Sequence, residues 1–169
     1  MNLVPINLST GNGYEYFLDI VNYFQKYKDV LTDDYWNLDD IYSEVIKLIN
    51  ENENWFFVFE EDREFAGLAW VRSWYGGNGK HHSCQLNGGN VRKYSKHTPE
   101  AFEGLLSLLF SLGLERVEME IPEHNLLSQR FALKMGFKKE SIIENASKKN
   151  NQNINHIRFR LLKGEFING

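Results

Sequence analysis

His81 and His82 stand just before Ser83-Cys84, in a stretch whose apolar residues read as a strand. An imidazole titrates near neutral pH, so either ring could take the proton of an amine nucleophile, directly or through water. Two solvated imidazoles beside a glycine loop are the ordinary alternative, and strand alternation sends only one ring to each face. Cys84 lies two residues from His82 and shares its face, so a thiol–imidazole pair is conceivable. A free cysteine more often packs as a small buried hydrophobe, and that reading is preferred. His82, His97, His124 and His156 show no spacing that would ligate a metal, and no metal site is expected. Gln85-Leu86-Asn87-Gly88-Gly89-Asn90 follows, where the glycine pair allows a close backbone approach, a β-bulge or simply a glycine-rich strand end.

The elements that must position these groups can be read from apolar spacing. A short strand at 2–8 carries Pro5, which suits an edge or terminal position. Phe17, Leu18, Val21, Phe24 and Tyr27 recur at helical spacing over 14–30, and Ile41, Val45, Leu48 and Ile49 mark a second helix beginning near Asn37 or Asp39. Residues 55–59 read as a strand buried on both faces, and 65–74 as its hairpin partner after a charged turn. The next strand spans about 81–86. Thr98-Pro99-Glu100 starts a helix whose stripe is Phe102, Leu105, Leu106, Leu109 and Phe110, ended by Gly113. Val117, Met119 and Ile121 alternate with Glu118 and Glu120, a strand with one solvated acidic face. A helix over 125–135 begins at Asn125, an N-cap residue, and closes at Gly136. Strands at 137–143 and 154–162 finish the chain, with the Asn- and Lys-rich segment 145–155 read as a loop. The order β-α-α-β-β-β-α-β-α-β-β describes a single mixed α/β domain over 1–169.

This order, with the motif Ile121-Pro122-Glu123-His124-Asn125-Leu126-Leu127-Ser128, then Phe131, then Lys134-Met135-Gly136-Phe137, resembles the GNAT superfamily of acyl-CoA-dependent N-acyltransferases. Motif-level likeness covers residues 80–140, and the wording from Leu86 to Phe110 resembles GNAT-type proteins encoded by bacteriophages. The resemblance implies a GNAT-like α/β fold: a mixed, mostly antiparallel sheet of six to seven strands flanked by about four helices. It also implies acetyl-CoA as cosubstrate and an amine, small-molecule or peptide, as acceptor. Asn87, Gly88 and Gly89 would meet the pantetheine arm along a splayed strand, and Asn125 and Ser128 would contact the cofactor. Tyr35, Trp36, Trp70, Trp74 and Tyr75 fall where loops flank the family's acceptor cleft, although aromatics at strand spacing are ordinarily core. Tyr35, Trp36, Trp74 and Tyr75 are assigned to the acceptor.

Two departures bear on activity. The family's pyrophosphate loop is glycine-rich, letting successive N–H groups and a helix dipole meet the phosphates. The matching stretch here is Lys93-Tyr94-Ser95-Lys96-His97-Thr98, with Lys96 where the first glycine would stand. An anion would then rest on Lys93, Lys96, the hydroxyls of Ser95 and Thr98 and the start of the following helix. The residue after Phe131 is Ala132, not the tyrosine that protonates the departing thiolate in many members; Tyr94 or water would substitute. Two readings follow: an N-acetyltransferase with His82 as base and Tyr94 as acid, or a GNAT-fold protein that binds or builds without catalysis.

Composition bounds the rest. The chain has 169 residues with 19 Lys+Arg against 23 Asp+Glu, a net charge of −4. No dense basic face is available for nucleic acid, so no nucleic-acid partner is expected. The single Cys84 forms no internal disulfide. Neither a signal peptide nor an apolar stretch of membrane length is seen, so a cytoplasmic protein without a membrane partner is expected. A homodimer is left open.

Overall fold

The computed structural model describes residues 1–8, 12–28, 36–51, 55–75 and 82–167. Seven strands form one mixed sheet in the order β1-β2-β3-β4-β5-β7-β6. They are β1 (Asn2–Pro5), β2 (Phe56–Glu61), β3 (Glu64–Tyr75), β4 (Ser83–Asn90), β5 (Arg116–Pro122), β6 (Lys138–Lys149) and β7 (Gln152–Leu162). Among the described residues five α-helices accompany them: α1 (Asn12–Lys26), α2 (Ile41–Glu51), α3 (Thr98–Ser111), α4 (Leu126–Lys134) and α5 (Lys163–Ile167). The α/β class and the chain order read from the sequence hold, with α5 added. Contacts group the chain into two compact units, residues 1–70 with 88–101 and residues 71–87 with 102–169.

In the first unit β1 and β2 pair antiparallel from Asn2↔Glu60 to Pro5↔Phe57, and β2 and β3 from Phe56↔Trp70 to Glu61↔Glu64. The two-residue turn Asp62-Arg63 has φ of 52° and 63°, the left-handed pair that closes a hairpin with the native strand twist. α1 buries Tyr16, Ile20, Val21, Tyr23 and Phe24, while Leu18 is exposed. Of the expected stripe, Val21 and Phe24 are buried, Phe17 and Tyr27 pack half-buried against the same core, and Leu18 faces out. Tyr16 and Tyr23 widen it, their rings apolar and their hydroxyls bonded to Glu60 and to the Asn90 carbonyl. α2 buries Ile41, Val45, Leu48 and Ile49 as the spacing predicts, and Asn37 accepts a hydrogen bond from Asp39 N at 3.2 Å just ahead of it. Trp70 is buried and stacked on Phe56 at 5.9 Å, so it is a core residue. Each large apolar side chain so buried contributes about 2 kcal/mol relative to exposure.

In the second unit β4 runs parallel to β5 from Ser83↔Arg116 to Gln85↔Glu118. β5 is antiparallel to β7, and β7 to β6. Val117, Met119 and Ile121 are buried. The segment expected as a loop over 145–155 is instead the end of a long hairpin, turned by Asn150-Asn151 with φ of 51° and 60°. Asparagine tolerates that conformation, and a register shift with Asn145 at φ 52° keeps the two strands paired. Gly113 and Gly136 end α3 and α4 at φ 95° and 85°, and Phe137 is buried behind the second.

Candidate functional site

The loop after β4 is a chain of tight turns. Tyr94 N–H donates to Val91 O at 2.9 Å, Ser95 N–H to Arg92 O at 3.2 Å and His97 N–H to Tyr94 O at 3.0 Å. These three backbone donors are spent inside the loop, which leaves an anion fewer N–H groups and more reliance on side chains. Lys93, Ser95 and Lys96 are exposed. Thr98 is buried, and its hydroxyl donates to Tyr94 O at 3.3 Å at the first residue of α3. Tyr94 is buried, with Lys93 Nζ over its ring at 4.8 Å from the centroid. Its phenol donates to Glu64, a carboxylate that also holds Lys93 Nζ at 2.7 Å. The hydrogen bonds from Lys93 and then Tyr94 hold the Glu64 carboxyl below its usual range, and the same contact with Glu64 raises Lys93. Glu64 carried no signal in the sequence, because its partners lie 29 and 30 residues away.

Gly88 and Gly89 are explained by this chain's own packing. A Cβ on Gly88 would lie 2.5 Å from Leu68 O and 3.0 Å from Ala69 Cα. One on Gly67 would lie 2.6 Å from Gly89 O, so β3 and β4 press together backbone to backbone at this point. A Cβ on Gly89 would meet Tyr23 Oη at 2.3 Å. Burial raises the Tyr23 phenol, with Tyr27 adding to it. Beside it lies a small cleft of about 180 Å³ floored by Tyr23, Tyr27, Phe65 and Val91. Trp36, expected at an acceptor pocket, is half-buried and stacked on Phe24 at 5.0 Å. Tyr35 lies outside the described residues.

In the second unit His82 is exposed and precedes β4 rather than lying within it. Its N–H donates to Tyr75 O at 2.7 Å, and its carbonyl accepts from Glu115 N at 2.9 Å and Arg116 N at 3.1 Å. The backbone is thus fixed while the ring faces solvent. His81 lies outside the described residues. Tyr75 is exposed, and Trp74 is a β3 residue whose side chain lies outside the described part. Cys84 is fully buried and its thiol is pushed up to about 12 by burial and by Glu118, which makes it a packed side chain and not a nucleophile. Among the described residues no group of three His, Cys, Asp or Glu could hold a metal ion.

The β4–β5 ladder ends at Gln85↔Glu118, and two residues on, the side-chain nitrogen of Asn87 is buried with no hydrogen-bond partner among the described residues. A buried donor without an acceptor is costly, which sets this amide apart from the paired polar groups around it. The acidic face of β5 is not simply solvated. Glu118 accepts from Arg116 Nε at 2.6 Å within the strand, and Glu120 from Arg158 Nη2 of β7 at 2.7 Å. Alternation alone shows a polar face; the partner of Glu120 comes from β7, 38 residues away.

At the end of β5 the motif residues take structural duties. Asn125 caps α4, its side chain accepting from Ser128 N at 3.2 Å. Ala132 is fully buried, and Phe131 meets Phe102 edge-on at 5.0 Å. Beside this corner a cleft of about 350 Å³ is lined by Glu123, His124, Asn153, Ile154 and Asn155, with Asn155 Nδ2 donating to Glu123 at 3.2 Å. Sequence alone does not show this grouping, since three of its five residues come from the segment with the composition of a loop.

No protein-family model and no curated protein matches the chain. Solved structures do. Spermidine N-acetyltransferase from Vibrio cholerae, in complex with CoA and spermine, superposes with a TM-score of 0.75 at 15% identity, over 98% of this chain and 97% of that one. Ribosomal-protein-alanine N-acetyltransferase from Brucella melitensis gives 0.72 at 10% identity, over 96% and 99%. A GNAT-family acetyltransferase from Bacillus anthracis gives 0.70 at 17% identity, over 96% and 95%. The fold is therefore the GNAT fold.

Proposed function

We propose that residues 1–169 act as one domain that transfers an acetyl or related acyl group from acyl-CoA to an amine. The observation that carries this reading is the end of the parallel β4–β5 ladder at Gln85↔Glu118, followed by the orphan amide of Asn87, within a fold shared with acetyltransferases along nearly the whole chain. Acyl-CoA, when bound, supplies an acyl group activated as a thioester. Asn87 would donate to an oxygen of the pantetheine arm or acyl group, and the Gly88-Gly89 backbone would lie alongside it. Lys93, Ser95 and Lys96 would hold the pyrophosphate by side chains, with Thr98 opening α3 behind them. Asn125 and Ser128 would serve the cofactor from the start of α4. These donors fit a long ligand that is polar along its length and anionic at one end.

His82, exposed on a fixed backbone, would accept the proton of the attacking amine directly or through water. Tyr94, once its phenol is released from Glu64, or a water in its place would return a proton to the leaving thiolate. Tyr35, Trp36, Trp74 and Tyr75 would line the acceptor side. The structural neighbours named for spermidine and for a ribosomal-protein alanine act on amines, and a net charge of −4 suits a cationic acceptor. We place the protein in the cytoplasm and leave a homodimer to light scattering.

Calorimetry with acetyl-CoA, followed by thiol release in the presence of polyamines and amine-terminal peptides, tests the proposal. Heat of binding and amine-dependent thiol release are expected. No heat and no thermal shift at millimolar acetyl-CoA would sink it. Binding without turnover would favour the second reading, a GNAT-fold binding protein, which the Lys93–Glu64 pair and the buried Ala132 support.

A further inference from the structure

The loop 92–97 is cationic, with Arg92, Lys93 and Lys96 all exposed, and the N–H groups of Tyr94, Ser95 and His97 are consumed within it. What it offers an anion is therefore mainly a set of side-chain donors. Two of those, the Lys93 ammonium and the Tyr94 phenol, converge on a single oxygen, Oε2 of Glu64. That oxygen receives an ammonium and a hydroxyl together, the donor pair a phosphate oxygen would take at the same place.

The arrangement is built rather than incidental. Glu64 is the first residue of β3, directly after the left-handed turn Asp62-Arg63, and its position is set by the Glu61↔Glu64 pair. Phe65, next along, packs against Tyr23 at 5.6 Å, and Val91 N–H donates to Ala66 O at 2.8 Å, which ties the start of the loop to the same strand. Tyr94 is buried and cannot turn away without losing its packing. The Glu64 side chain, by contrast, is 60% exposed and can swing out by rotation about its own bonds.

We propose that Glu64 is an internal competitor at this loop: its carboxylate occupies the donors that a pyrophosphate-class anion would use, and such a ligand binds by displacing it. Only the source of the phosphates, an acyl-CoA, rests on the function proposed above. Displacement hands both donors to the ligand, so Glu64 sets the affinity threshold for phosphates; a Tyr94 phenol held by phosphate leaves the proton of the thiolate to water.

The test is calorimetry at low ionic strength with inorganic pyrophosphate and, separately, acetyl-CoA. Glu64→Gln, which keeps a hydrogen-bond acceptor for Tyr94 and removes the charge, is expected to bind pyrophosphate about fivefold tighter than the parent protein, the size of a lost exposed ion pair. Glu64→Asp, one methylene short of its partners, should gain less. Lys93→Ala added to Glu64→Gln should abolish the gain, and Glu144→Gln, the same charge change on β6, should give none. Equal pyrophosphate affinity in the parent and Glu64→Gln, a gain that survives Lys93→Ala, or no binding by either protein overturns the proposal. Acetyl-CoA judges the other reading. Its binding without a Glu64→Gln gain overturns the competitor alone, whereas a pyrophosphate gain without acetyl-CoA binding upholds the competitor and removes the acyl-CoA reading.

Discussion

The hydroxyl of Tyr23 stands where a side chain at residue 89 would begin: a Cβ on Gly89 would lie 2.3 Å from Tyr23 Oη. The same hydroxyl donates to Asn90 O at 3.3 Å, so α1 is keyed to the end of β4 through one phenol. Gly89→Ala is therefore expected to destabilise the fold by about 1–3 kcal/mol, the cost of overpacking a tight contact. Tyr23→Phe in the same chain should recover part of the loss by removing the clashing oxygen. Urea denaturation of the two single variants and the double variant measures the coupling. Additive losses would mean that the two residues do not meet.

Cys84 gives a chemical readout of the core. Its thiol, pushed up to about 12 by burial and by the Glu118 carboxylate, is fully protonated at pH 8 and shielded. A thiol-specific disulfide reagent at pH 8 should leave the native protein unlabelled over minutes and react once per chain in denaturant. Rapid native labelling would show that β4 opens far more readily than its burial implies.

Much of this was legible in the chain. Val117, Met119 and Ile121 alternate strictly and lie buried, because one face of β5 carries the core and the period of a strand is two. Phe102, Leu105, Leu106, Leu109 and Phe110 read as one helical stripe for the corresponding reason. The failures share a cause. The face of α1 is legible from spacing except at Leu18, but the burial of Tyr16 and Tyr23 is not, since a tyrosine suits either side until its hydroxyl finds a partner such as Glu60. The segment 145–155 has the composition of a loop, yet cross-strand pairing holds it as a hairpin. The role of Glu64 depends on a contact across 30 residues, and the same is true of the Glu123–Asn155 corner. Composition and periodicity describe a residue's own neighbourhood, not the distant residue folded against it.

Glu165 closes the second unit and supplies an acid-sensitive contact. Arg160 and then Lys138 donate to it, with Leu162 N–H as a third donor at 3.1 Å, and its carboxyl falls from an ordinary 4.5 to about 2. Because the folded value is depressed, the stabilisation is fully present above pH 4.5 and is lost as pH falls toward 2. Glu165→Gln should be less stable than the parent protein at pH 7 and should converge with it near pH 2. Thermal midpoints of the two proteins across pH 2–7 check this. A constant difference over the whole range would exclude the charge as the origin.

The proposed base is testable without disturbing the fold. His82 is held by backbone bonds to Tyr75, Glu115 and Arg116, while its ring is exposed. His82→Ala thus removes an imidazole and no packing, and the thermal midpoint should stay within a degree or two of the parent value. If the ring takes the amine proton, kcat should fall by roughly 10²–10⁴-fold, the usual worth of a positioned base, with KM for acetyl-CoA unchanged. A variant that keeps the parent rate would remove His82 from the chemistry. The amine would then lose its proton to solvent, and the contribution of this fold would be confined to holding the two substrates together.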